Sequence, residues 1–160
     1  MDFKLAILGA ILIAICVIPV ILIIRSSKKV ERNLLQSLKR IAKQNNSHIN
    51  LYDICGDAII GIDENKNQIF FYKKTNETSN ENVIELSKFQ SCNISKTNRT
   101  LKKNSGNLTE IEKLELNFVP KSDDVNKISL EFFNVYESNQ LSNEIQLIEK
   151  WSNLINNKLK

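Results

Sequence analysis

Apolar positions along this chain fall into three successive rhythms. Residues 5–24, "LAILGAILIAICVIPVILII", carry no charge. As a helix they would rise about 30 Å, the thickness of a bilayer's hydrocarbon core. From residue 30, "VERNLLQSLKRIA" sets Val30, Leu34, Leu38 and Ile41 on one stripe at three- and four-residue spacing, with Leu35 and Ala42 beside it. This predicts an amphipathic helix within 28–46, ended by "QNNSH". Its stripe needs a partner, either the domain's own sheet or a second copy, in which case Val30, Leu34, Leu38 and Ile41 are the homodimer seam.

After residue 49 the rhythm shortens to apolar runs rich in Ile, Val, Phe and Tyr, separated by polar turns, which predicts strands at 49–54, 58–63, 68–73, 83–86, 92–97, 111–119 and 127–134. In "IEKLELNFV" the alternation has period two from Leu114 onward. Seven strands at such spacing predict an antiparallel barrel or sandwich. "KTNETSNEN" and "TNRTLKKNSGN" are expected as polar loops. The chain closes with Leu141, Ile145, Ile148, Trp151, Ile155 and Leu159 at helical intervals. Asn139 or Ser142 is placed to cap this helix, Glu144 sits in its first turn, and Lys158 and Lys160 sit at its end, each where the helix dipole prefers it. Such a helix is expected to lie across the sheet with Trp151 as its anchor.

Charge gives the first segment a setting. The apolar run exceeds the roughly 7 to 15 residues of a secretory signal and lacks a small-residue cleavage site. Cys16 follows Ile15, where a lipoprotein signal would carry a small residue. The expectation is a retained transmembrane anchor within 1–27, with the lipid bilayer as partner through 5–24. Arg25, Lys28, Lys29 and Arg32 follow the run, whereas only Lys4 precedes it, so the domain at 47–160 is expected on the cytoplasmic side of the inner membrane. Those four cations are also candidates for contact with anionic headgroups.

Composition narrows function mainly by exclusion. A formal net charge of +4 is too modest for a nucleic-acid binder. Three cysteines do not make a disulfide framework. Formal glycosylation triplets begin at Asn45, Asn76, Asn93, Asn98 and Asn107, and in so Asn-rich a chain several arise by chance. The four glycines form neither a phosphate-binding loop nor a dinucleotide fingerprint. His48, Cys55 and Cys92 lack paired metal-ligand spacing, and a thiol nucleophile would have only His48 as base. Asp123 and Asp124 read as a turn. No cofactor, metal or catalytic residue is implied.

The stretch most like an ion site is "GIDENKNQIFFY". Asp63, Asn65 and Asn67 fill the first, third and fifth places of a calcium loop, but Gln68 stands where Gly is needed and Lys74 where a bidentate Glu is needed. Its flanks are strand-like, so it predicts a hairpin with "ENKN" as its turn.

The hairpin "AIIGIDENKNQIFFY", the following "VIELSKFQSCNIS", the pair "IEKLELNFV" and "KISLEFF", and the Trp-bearing last helix together resemble a pleckstrin-homology-like domain over about residues 49–160. The resemblance implies a seven-stranded split barrel closed by the C-terminal helix, a mainly β or α+β fold. It implies a fold used mostly for binding. Lys66, Lys73 and Lys74 do not match the family's phosphoinositide cluster, so headgroup recognition is not carried over. The expected function is non-catalytic: a domain that binds a protein partner or the membrane surface. The alternative is a scaffold subunit of an envelope or secretion assembly, with its domain outside the cytoplasm.

Overall fold

A computed structural model describes residues 3–75, 78–103, 106–138 and 141–160, the side chains of 3–12, 14, 20, 22–27, 101, 103, 106 and 107 excepted. Helix α1 (Phe3–Gln44) is a single element of 42 residues that runs through the boundary expected at residue 27. It ends where Asn46 takes a left-handed φ of 53°, with the Ser47 N–H donating to the Ala42 carbonyl at 2.9 Å. Asn tolerates that conformation and so terminates helices well.

The expected span at 5–24 falls mostly on residues whose side chains lie outside those described. Among the described residues no helix is long and apolar enough to cross a membrane. A crossing needs about 20 consecutive apolar residues. The transmembrane anchor and the single-pass inner-membrane location are corrected on this finding.

Strands β1 (Leu51–Cys55), β2 (Ala58–Asp63), β3 (Gln68–Lys74) and β4 (Ser79–Glu85) form an antiparallel meander, here sheet A. A 3₁₀ turn, Leu86–Lys88, then leads to β5 (Phe89–Lys103), β6 (Gly106–Pro120) and β7 (Ile128–Asn134), which form sheet B. The expected seven-stranded split barrel is therefore corrected to two sheets of four and three strands. The physical reason lies in the turn: the Leu86 N–H is spent on the Asn67 carbonyl at 3.0 Å, and β5 departs to pair with β6 rather than with β4.

Helix α2 (Glu144–Leu159) packs on the two sheets with Ile148, Trp151 and Ile155 fully buried. The Trp151 indole donates to the Asp53 carboxylate at 2.9 Å, so its one polar atom is satisfied on β1. Ser142 does not take the cap position. Asn143 precedes the helix without a side-chain cap bond, the Ser142 N–H donates to the Glu144 carboxylate, and Asn139 lies outside the described residues.

Two apolar clusters result. One fills the space between the sheets and α2, and includes Ile60, Phe71, Phe118 and Trp151. The other joins Leu34, Leu38, Ile41 and Ala42 of α1 to Ile59, Phe70 and Tyr72 on the opposite face of sheet A. Strand β2 is thus buried on both faces, which explains why "AIIGI" is continuously apolar. The stripe of α1 is covered by the chain's own sheet: Leu34, Leu38 and Ile41 are at most 3% exposed and unavailable to a second copy, leaving only Val30 exposed.

Candidate functional site

The calcium-like stretch is a hairpin, with Asp63 paired to Gln68 across the Glu64–Asn67 turn. The carboxylate that would hold a cation is already occupied. It accepts the backbone N–H of His48 at 2.8 Å, of Asn65 at 3.0 Å and of Lys66 at 3.1 Å. Burial opposes its ionisation, but these donors, with the Ser47 hydroxyl, prevail and hold the carboxyl below its ordinary value. Asn67 completes the turn with a left-handed φ of 51°. Asp63 therefore ties the end of α1 to the hairpin.

Neither thiol meets His48. Cys55 lies opposite Ala58 at one end of the β1–β2 ladder, whereas the His48 backbone is bonded to Asp63 at the other. Four residue steps, at about 3.3 Å each, separate those ends. Burial first, then the charge of Glu144 and a hydrogen bond to it, push the Cys55 thiol up to about 12, with Lys73 acting the other way. Burial pushes Cys92 up to about 12 as well. Thiols so raised are poor nucleophiles near neutral pH. Around Cys92 the backbone is occupied too, since its N–H donates to Asn156 Oδ1 at 2.9 Å and its carbonyl accepts from Asn156 Nδ2 at 2.7 Å.

A charged cluster that sequence reasoning missed links the two sheets. Lys73 of β3 sits 2.7 Å from Glu131 of β7 and 2.6 Å from Glu137 just beyond it, while Lys113 of β6 sits 3.0 Å from Glu131 and 2.8 Å from Glu115. Burial opposes the Glu131 charge, but Lys73 and Lys113 outweigh it and lower the carboxyl below its ordinary value. The sequence signal was slight: one Lys following "IFFY" in a strand otherwise buried on both faces.

Among the described residues no group of three or more His, Cys, Asp and Glu side chains could hold a metal. Asp123 and Asp124 are exposed in the turn between β6 and β7.

A concave feature of the surface lies where α1 passes over sheet A. A cleft of about 600 Å³ is lined by Asn33, Ser37 and Arg40 of α1 and by Asp57, Tyr72 and Lys74 at the sheet's end. Its walls offer amide, hydroxyl, cationic and carboxylate groups, a mixture suited to a peptide-like ligand. Of the cations singled out for surface contact, Lys28, Lys29 and Arg32 are exposed, and the side chain of Arg25 lies outside those described. The structure adds Lys39, Arg40 and Lys43, also exposed. At helical spacing Lys29, Arg32, Lys39, Arg40 and Lys43 share the face of α1 opposite Leu34, Leu38 and Ile41. That three- and four-residue recurrence was the signal available in the sequence.

No protein family, curated protein or solved structure matches this chain.

Proposed function

We propose that the chain is a non-catalytic binding module whose ligand is another protein. One observation carries this reading: Asp63, Lys73, Glu144 and the two domain thiols are spent on internal bonds or buried, while polar groups of the α1 cleft face solvent. Asp63 holds a turn, Glu144 accepts from the Ser142 N–H and approaches Cys55, Lys73 joins the sheets, and both domain thiols are buried. Arg40, Asp57 and Lys74 of the cleft are exposed.

The test is site-specific photocrosslinking in cells, with the reactive group at Ser37 or Thr75 in the cleft and, as control, at Asp124. A discrete protein adduct from the cleft positions and none from the control is expected. Equal adducts at all three positions, or none, would contradict the proposal.

A further inference from the structure

Charge is spread unevenly along this chain. Residues 28–43 carry six cations and one carboxylate, a net +5, whereas residues 44–160 carry fourteen cations and sixteen carboxylates, a net −2. In that second part cations of both sheets and of α2 meet carboxylates, as Lys73, Arg99, Lys113 and Lys150 do. On α1 only Arg40 forms an ion pair among the described residues, with Glu81.

At about 100° per residue, Arg32, Lys39 and Lys43 fall within an arc of about 40° and form a row about 16 Å long, turned away from sheet A. Like charges at three- and four-residue spacing repel, and the row with its neighbours repeats them at Lys28/Arg32, Lys29/Arg32, Lys39/Lys43 and Arg40/Lys43. The helix dipole accounts for Lys43 in the last turn, but not for Arg32 or Lys39 farther back. Folding gives no reason for the row, and a local rule broken without structural gain is where function is expected. At its C-terminal end the row borders a hollow of about 430 Å³, lined by Lys39, Lys43 and His48 with Ala42 and Ile49. No carboxylate lines it. Asp63, which accepts the His48 N–H, is buried with its oxygens turned to backbone donors.

Resting on the reading of the chain as a protein-binding module, we infer that Arg32, Lys39, Lys43 and the hollow beside His48 form a second docking face, whose occupant is an acidic segment of a partner protein. Carboxylates along the segment neutralise the row, and one enters the hollow between Lys39, Lys43 and His48. Clusters of basic side chains recognise acidic motifs in this way, and their uncompensated charge speeds encounter. A nucleic acid fits poorly, because no Phe, Tyr or Trp lines the hollow as a stacking surface. An anionic bilayer fits poorly too, because the apolar stripe that an interfacial helix would insert is already buried against sheet A. A second copy set row against row would repel itself.

The experiment uses the full chain to select binders from a displayed library of random short peptides. Selected peptides are expected to be rich in Asp and Glu, to bind less tightly as salt rises, and to shield Lys39 and Lys43 from acetylation. They should bind the R32E/K39E variant at least about tenfold more weakly, a change of about 1.4 kcal/mol. They should bind K121E/K127E, which alters net charge equally in the exposed turn between β6 and β7, as tightly as the parent chain. All four side chains are exposed, so the reversals do not threaten the fold. Equal weakening in the two variants marks net charge alone and overturns the face. Binders poor in Asp and Glu that leave Lys39 reactive overturn it while leaving a binding module standing. Phosphatidylserine vesicles or a single-stranded oligonucleotide that bind more tightly than every peptide, and are lost in R32E/K39E, overturn the protein occupant. A library that yields no binder overturns both readings.

Discussion

Gly61 sets how closely α1 approaches sheet A. A Cβ at this position would lie 2.8 Å from Leu38 Cδ2, 3.0 Å from Ile49 Cγ2 and 3.2 Å from the Leu51 carbonyl oxygen. Leu38 is fully buried and has little room to yield. Gly61→Ala should therefore cost about 1–3 kcal/mol, read as a lower denaturant midpoint with an unchanged slope. Asp63 governs a pH effect. Its carboxyl and that of Glu131 are held below their ordinary values in the folded chain, so their stabilisation is complete above the ordinary carboxylate range and is lost as pH falls through the lowered values. Unfolding free energy should stay level above about pH 5 and decline below about pH 4. Asp63→Asn should lower stability by about 1–2 kcal/mol near neutrality and flatten that decline. Urea titrations across pH would check both statements. The shape of this turn was legible, because Gln68 and Lys74 ruled out a calcium loop. Its role was not, since the donor from His48 comes from a separate element.

Lys73 is the residue through which the two sheets are tied electrostatically. Its side chain is 10% exposed and its partners lie on and just beyond β7. Lys73→Ala should cost about 3 kcal/mol or more, because it leaves a partly buried carboxylate with fewer donors. Pairing Lys73→Met with Glu131→Leu should recover much of that loss, since an apolar pair removes the desolvation cost from both sides. A double-mutant cycle in urea gives the coupling, and strict additivity would refute it. At this scale legibility followed burial. The α1 stripe, the first hairpin and α2 each bury one or both faces, so their periodicity is written in the residues. Strand β4 begins at Ser79 rather than near residue 83 because its first residues, "SNEN", lie on an open edge where nothing selects for apolar side chains. The polar stretch "TNRTLKKNSGN", expected as a loop, lies largely within β5 and β6 for a related reason: beyond β7 these strands have only each other to pair with among the described residues.

For the whole molecule, the reading of a seven-stranded split barrel failed because a barrel depends on which strands pair where the chain changes sheet. That choice is made at Leu86–Lys88, within a stretch whose "VIE" belongs to β4 and whose "LSK" is the turn. Nothing in the local alternation separates the two. The cysteines, by contrast, report the fold as a unit. Cys55 and Cys92 are buried with thiols raised to about 12, whereas Cys16 is exposed. Maleimide in native buffer should label Cys16 rapidly and the other two only on unfolding, as mapped by mass spectrometry of the labelled peptides. Labelling of Cys55 at the rate of Cys16 would mean that the end of sheet A opens without global unfolding.

The long β5–β6 ladder has a further consequence for how the molecule comes apart. Strand β7 meets β6 only from Lys113 to Phe118, whereas β5 and β6 continue as a pair from Asn98↔Ile111 to Lys103↔Gly106. A two-stranded ribbon is marginal by itself. The outer part should open with a much smaller free energy than the body, which makes it the natural place for a trypsin-like protease to enter, after Arg99 or Lys102. The nicked chain would stay assembled, because each fragment keeps its own share of the buried core.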